Sequence, residues 1–206
     1  MESYRKAAAN GDALAMSRLG WMYYDGKGVA QSYTQAAEWF HKAADKGDAD
    51  AMNNLGVMYA NGRGVAQSNT KAVEWYRKAA DSGNAEGMNN LGVMYADGRG
   101  AAQSEAQALE WFLKAADKGN ALAMFNLGMK YANGQGVAQS DSQAVQWFRK
   151  AADKDNADAM FNLGMMYENG KGVAQSDTQA IEWYGKAARA GHEKAKTLLR
   201  KNRLSW

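Results

Sequence analysis

Apolar residues return along this chain in two alternating helical phases. From about Asp48 to Ala60, the side chains of Ala51, Met52, Leu55, Gly56 and Tyr59 fall on one arc of about 140° when each residue turns the chain by about 100°. From Ser68 to about Asp81 a second arc holds Ala72, Val73, Trp75, Tyr76, Ala79 and Ala80. A polar, glycine-bearing link, Asn61-Gly62-Arg63-Gly64, lies between them. The whole pattern then repeats. Leu55 to Val65 returns at Leu91 to Ala101, Leu127 to Val137 and Leu163 to Val173, and is preceded by Leu19 to Val29, at one spacing of 36 residues. Five copies at a fixed period predict an all-α fold, a solenoid of antiparallel helix pairs in which each pair buries its apolar face only against its neighbours.

The polar positions set the helix limits. Asp12, Asp48, Asn84, Asn120 and Asn156 stand where the first helix of each pair needs an N-cap, and Gly62 and its counterparts stand where an αL residue ends it. Ser32, Ser68, Ser104, Ser140 and Ser176 head the second helices. Gln35, Gln107, Gln143 and Gln179 follow three residues after four of them and Lys71 after the other, which is the capping-box pattern. Gly47, Gly83, Gly119 and Gly191 close the second helices, and Asp155 interrupts that series, so it is expected in the αL region at some cost. Gly56 in mid-helix costs about 1 kcal/mol against Ala, and its return at Gly20, Gly92, Gly128 and Gly164 predicts close helix approach, with the recurrent Trp39, Trp75, Trp111, Trp147 and Trp183 as the facing rings.

One domain over 1–206 is expected, with units at about 12–47, 48–83, 84–119, 120–155 and 156–191. A partial helix over 1–11 precedes them, because Tyr4, Lys6, Ala7, Ala8 and Gly11 sit one period before Phe40, Lys42, Ala43, Ala44 and Gly47. That register excludes a signal peptide there and is what a piece of a longer array would have. Over 192–206 a capping helix is expected, with Ala195, Leu198 and Leu199 as its apolar face and Arg200 and Arg203 where Gly and Tyr belong; Trp206 is assigned no place.

Composition narrows the reading further. There are 22 Gly, no Pro and no Cys. Glycine at period without proline punctuates helices, and the lack of cysteine removes disulfides, thiolate metal sites and a Cys nucleophile. The net charge of +3 comes from the tail: from Arg189 onward six Lys/Arg face one Glu, leaving the rest of the chain at −2. A nucleic-acid groove needs basic residues at period along one face, and the repeat has none, so no nucleic-acid partner is expected. No apolar run approaches membrane-spanning length, so membrane insertion is not expected either.

The pattern Ala-x-x-x-Leu-Gly-x-x-Tyr-x-x-Gly-x-Gly-Val, seven residues before Ala-x-x-Trp-Tyr/Phe-x-Lys-Ala-Ala, resembles the Sel1-like repeat, a bacterial relative of the tetratricopeptide repeat, over nearly the whole chain. The chain departs from it at Ala30, Ala66, Ala102, Ala138 and Ala174, where Pro often follows Val, and keeps the aromatic after the second cap only as Tyr33. The resemblance implies a right-handed solenoid whose first helices line a concave groove. It implies a scaffold or adaptor role in signalling, envelope stress or host interaction, without catalysis. The compartment stays open between cytoplasm and, for a processed chain, periplasm or secretion, and the oligomeric state is not read from the sequence.

Several short motifs offer chemistry beside a structural role. Ser3-Tyr-Arg-Lys6 and Ser68-Asn-Thr-Lys71 match the Ser-x-x-Lys of penicillin-recognising enzymes, so a β-lactam-reactive serine is one alternative function, and a purely structural spacer within a longer array is the other. Ser68, however, shares its register with four capping serines, and no companion motif exists. Asp153 to Asp158 suggests a calcium loop but lacks the central Gly and terminal Glu. His41 and His192 are too far apart to predict a metal site, and the Gly-x-Gly pairs lack the rest of a phosphate loop. No catalytic residue, metal or cofactor is predicted. A binding surface is. Trp21, Val57, Val93, Met129 and Met165 share one register on the far side of the first helices, and Asn53, Asn89, Phe125 and Phe161 share another. Asn54, Asn90, Asn126 and Asn162 form a carboxamide row suited to an extended peptide backbone. Packing within the scaffold is the competing explanation. A protein or peptide ligand with hydrophobic anchors is the expected partner.

Overall fold

Each first helix starts at a side-chain cap and stops at a left-handed glycine. In the computed structural model, which describes residues 1–202, Asp12, Asp48, Asn84, Asn120 and Asn156 accept the backbone N–H three residues on, at 2.7–2.9 Å. Gly26, Gly62, Gly98, Gly134 and Gly170 end the same helices in the αL region. Twelve helices result: α1 (Glu2–Ala9), α2 (Ala13–Asp25), α3 (Tyr33–Asp45), α4 (Ala49–Asn61), α5 (Asn69–Asp81), α6 (Ala85–Asp97), α7 (Glu105–Asp117), α8 (Ala121–Asn133), α9 (Asp141–Ala152), α10 (Ala157–Asn169), α11 (Asp177–Arg189) and α12 (Glu193–Lys201). Among the described residues there is no strand, and no helix is long and apolar enough to cross a membrane. Arg203 and Trp206 lie outside them.

The second helices correct the capping-box expectation by half. Ser32, Ser68, Ser104, Ser140 and Ser176 do accept the N–H of the residue three on, at 3.3 Å. Their own N–H groups do not turn to that residue's side chain. They donate to the carbonyls of Tyr23, Tyr59, Tyr95, Tyr131 and Tyr167 at 2.9–3.0 Å, tying the end of one helix to the start of the next. The glutamine before each serine completes the closure: Gln31, Gln67, Gln103, Gln139 and Gln175 donate their amides to the carbonyls of Tyr24, Ala60, Ala96, Ala132 and Glu168. Carbonyls left orphaned by the ending helix are thereby satisfied.

The mid-helix glycines mark close approach, but the ring against them is not the tryptophan. A Cβ on Gly56 would lie 2.5 Å from the ring of Tyr76, and Gly20, Gly128 and Gly164 meet Phe40, Phe148 and Tyr184 in the same way. These rings, with Leu19, Leu55, Leu127 and Leu163, are the floor of each pair. Trp39, Trp75, Trp147 and Trp183 stay half-buried, each with the ammonium of the lysine three residues on, Lys42, Lys78, Lys150 or Lys186, at 4.0–4.2 Å from its ring. The second loop glycine serves contact between pairs. A Cβ on Gly64 would collide with the Tyr33 carbonyl at the head of α3, and Gly100 and Gly172 stand likewise against Asn69 and Asp141. Asp155 takes φ 60°, the αL value expected for it.

The chain divides into two compact units, Met1–Trp111 and Phe112–Trp206, with the boundary inside α7. In the first, α2/α3 and α4/α5 are helix pairs flanked by α1 and α6. In the second, α8/α9 and α10/α11 are pairs followed by α12.

Candidate recognition faces

In each first helix the side carrying Leu and Gly is spent on packing, so chemistry can reside only on the opposite side. There four registers fall in a stripe at i, i+3, i+4 and i+7. In the first unit α2 contributes Leu14, Ser17, Arg18 and Trp21, α4 contributes Asp50, Asn53, Asn54 and Val57, and α6 contributes Glu86, Asn89, Asn90 and Val93. In the second, α8 contributes Leu122, Phe125, Asn126 and Met129, and α10 contributes Asp158, Phe161, Asn162 and Met165.

In the first unit the expected Asn surface sinks into the wall. Asn53 and Asn89 are 4% and 5% exposed. The Asn53 amide donates to Glu86 Oε2 at 3.3 Å, and its carbonyl accepts from Asn90 Nδ2 at 3.0 Å. Asn84, already the cap of α6, donates to Asp50 at 2.6 Å. This polar seam joins α4 to α6, as buried amides require, and takes Asn53 out of reach of a ligand. Asn54 is half-buried with no hydrogen-bond partner among the described residues. Val57 and Val93 are half-buried. Trp21 is 41% exposed although its ring is fixed edge-on by Tyr24 at 5.3 Å and Phe40 at 5.5 Å.

The second unit carries apolar chemistry on the same side. Met165 is 40% exposed, and Met129 and Phe125 are half-buried, Phe125 lying 5.9 Å from Phe148. Phe161 stacks on His192 at 4.3 Å and tilts against Tyr184 at 5.3 Å. His192 replaces the usual Asp or Asn cap: its Nδ1 accepts from the Ala195 N–H at 3.1 Å while Nε2 lies 3.3 Å from Asp158. Tyr184 donates to Glu168 at 2.7 Å, and burial first, then that bond, pushes its phenol above the usual range. Asn126 is half-buried, and Asn162 turns its amide back to the Asp158 carbonyl of its own helix at 2.8 Å. A cavity of about 370 Å³ opens between Phe161 and the Lys194, Thr197, Leu198 and Lys201 side of α12.

Two exposed leucines were missed by sequence reasoning. Leu14 and Leu122 are 63% and 54% exposed at the register where other copies have Asp50, Glu86 and Asp158. The signal was legible: a leucine replacing a carboxylate at an outward position has no packing reason. The Ser-x-x-Lys motif gains no chemistry from its geometry. Ser68 Oγ receives the Lys71 N–H as a cap, and the Lys71 ammonium lies 5.4 Å from the centre of the Tyr59 ring. Ser3 and Lys6 are simply exposed on α1. Within Asp153–Asp158, Asp153 ends α9, Asn156 caps α10 and Asp158 faces His192.

Helix pairs closed by glycine and seated on one another through small residues define a repeat scaffold of the tetratricopeptide-like class. The Sel1 repeat profile matches five consecutive stretches, 13–48, 49–84, 85–120, 121–156 and 157–192, and the chain belongs to the Sel1 repeat family. Proteins of this family are in general protein-interaction scaffolds rather than catalysts. The solved structure of a protective antigen present in uropathogenic Escherichia coli is 38% identical with a TM-score of 0.87, over 95% of this chain and 42% of that one, so this chain spans less than half of that relative's length. A Sel1 repeat protein from Oxalobacter formigenes is 34% identical with a TM-score of 0.89, over 93% of this chain and 78% of that one. An immunity protein from Pseudomonas aeruginosa is 25% identical with a TM-score of 0.61, over 86% and 68%. Among curated proteins none matches the chain.

Proposed function

We propose that the chain is an adaptor that holds a segment of a partner protein on its first-helix faces, with apolar anchors in the second unit. The observation behind this reading is the row Leu122, Phe125, Met129, Phe161 and Met165. Its members lie on one side of α8 and α10, and Leu122 and Met165 remain open to water. Large apolar side chains left open to water beside such a row, as Leu122 and Met165 are, mark interaction surface. The half-buried Asn162 beside them, its amide nitrogen turned to its own helix, offers its side-chain oxygen to a peptide N–H. A role exercised by contact with another protein also accords with the structural relative described as an immunity protein.

The test uses Leu122→Ser with Met165→Ser, since both side chains are exposed and their loss leaves the core intact. Immobilised wild-type chain and the double variant are compared for capture from a lysate of the source cells, with circular dichroism to verify equal folding. Loss of specific proteins from the variant's capture supports the reading, and an identical set from both overturns it.

A further inference from the structure

Where the pair α8/α9 meets the pair α10/α11, both present in full, the second unit holds a cavity of about 220 Å³. Met129 and Met165 line it above the buried Phe148 and Met166. Its remaining lining is polar: Asn162 and Asn169 on α10, Asp141 at the start of α9, and Lys171 in the loop after α10. That loop rests on the head of α9, where a Cβ on Gly172 would collide with the Asp141 backbone.

The polar side of the cavity is rich in unmet oxygens. Asn162 and Asn169 turn their amide nitrogens to the Asp158 and Met165 carbonyls of their own helix, both at 2.8 Å, which leaves their side-chain oxygens to a ligand. The half-buried Asp141 carboxylate has no hydrogen bond or ion pair among the described residues, and neither has the Lys171 ammonium. An acid in the first turn suits the helix dipole, and Glu105 and Asp177 stand at the same register, so position alone does not single Asp141 out. Its surroundings do. The corresponding registers of the first unit hold Val57, Val93 and Asn69, and there the Asn69 side-chain oxygen is buried without a hydrogen-bond partner. In the second unit the oxygen at this register carries a charge, and methionines replace both valines.

We infer that this cavity receives one lysine or arginine side chain of the partner segment. Its stem lies between Met129 and Met165 and its cationic head on Asp141 and the Asn169 oxygen, which leaves Asn162 to the segment's backbone. Long cationic side chains lay their stems along apolar surface while the head keeps polar partners, and the flexible thioether of methionine adapts to such a stem. A purely apolar side chain would fill the same space but cover the Asp141 carboxylate without pairing it, which is unfavourable. An acidic one would meet its charge head on. Lys171, exposed at the mouth, opposes the cation from the solvent side, where screening weakens it. This inference rests on the proposed reading of the second-unit face and names the side chain that the face selects.

The test is selection of short random peptides displayed on phage against the full chain, in parallel with Asp141→Asn and Lys171→Gln. Each variant installs a residue that another copy carries at the same register, Asn69 and Gln135, so the fold accepts it. Enriched peptides are synthesised, with and without norleucine in place of the basic residue, and titrated by fluorescence anisotropy. Enrichment of Lys or Arg beside large apolar residues on wild type is expected. Affinity is expected to fall about tenfold in Asp141→Asn and on norleucine replacement, and to rise about twofold in Lys171→Gln. No enriched peptide, no basic preference, equal binding by Asp141→Asn, full affinity of the norleucine peptides, or a fall in Lys171→Gln would each overturn the inference. Peptides that lose affinity in Leu122→Ser yet ignore Asp141→Asn would overturn it too, while supporting the second-unit face.

Discussion

Replacing Gly64 by alanine separates two demands that the loop glycines satisfy. Gly64 has φ 71°, and a Cβ there would overlap the Tyr33 carbonyl and lie 2.7 Å from the Thr34 nitrogen, at the head of α3 in the preceding pair. Gly47 has φ 86°, with nothing within 4 Å of the same hypothetical atom. Gly47→Ala therefore isolates the left-handed backbone cost, about 1 kcal/mol. Gly64→Ala adds the cost of moving backbone against backbone. Overpacking a close contact costs about 1–3 kcal/mol, toward the upper end where no flexible side chain can yield, so a total of about 3–4 kcal/mol follows. In a chain of this size about 1 kcal/mol lowers Tm by about 2–4 °C. The two variants should thus differ by about 4–12 °C in circular dichroism melts and separate clearly in urea titrations. Repeat arrays can lose terminal units first, so amide exchange in α3 and α5 is the sharper readout: protection there should fall in Gly64→Ala and hold in Gly47→Ala. If the two variants agree within about 0.5 kcal/mol, a typical error for such a comparison, the second loop glycine is present for its φ alone and the argument for inter-pair contact fails.

Asp155→Gly removes an αL aspartate at φ 60°, and a gain of about 1 kcal/mol, or about 2–4 °C in Tm, is expected; an unchanged or lower Tm would refute the strain. His41 is held below its usual 6.5 chiefly by burial beside Tyr59 and Trp75, with Asp45 opposing the shift and Lys78 and Lys71 adding to it. Because the folded state disfavours the proton, the unfolded chain binds more of it as pH falls through 6.5, and stability drops toward acid. The part of the Tm loss between pH 7.5 and pH 5 that disappears in His41→Gln measures this, and identical pH profiles for the two proteins would refute it.

The period, the caps and the glycine stops were legible because each is a local requirement, met by the residue at one position regardless of what surrounds it. Asp12, Ser68 and Gly62 announce helix ends by their own chemistry. Partner choice across a helix pair was less legible. The ring over Gly56 is Tyr76 and not Trp75, since neighbours on one helix differ by a rotation that sequence spacing alone does not anchor to the facing helix. The Ser68 N–H finds the Tyr59 carbonyl instead of the Lys71 side chain, because the loop between α4 and α5 folds back within reach, and that is a tertiary fact. Asn53 was placed on the surface by angle, yet the approach of α6 covers it and Glu86 claims its amide. Pattern fixes a direction from the helix axis; it does not fix how far a neighbour extends along that direction.

That distinction also locates the information a partner would read. Positions whose neighbours are dictated by the repeat, Leu55, Gly56 and Tyr76 among them, are filled alike in every copy apart from Tyr/Phe exchange. At the outward registers the scaffold places weaker demands, and there the copies diverge: Asp50 and Glu86 against Leu14 and Leu122, Asn54 against Arg18, Val57 against Trp21 and Met165. Leu14 and Leu122 stay open to water at a register where other copies carry a carboxylate. In α4 and α6 the same registers are knitted together by Asn53, Asn90 and Glu86, which ties the two helices to one another. The outward registers of the two units therefore carry different side chains, Arg18 and Trp21 in the first and Leu122 and Met165 in the second, while the Leu, Gly and ring positions of the helix-pair core stay the same.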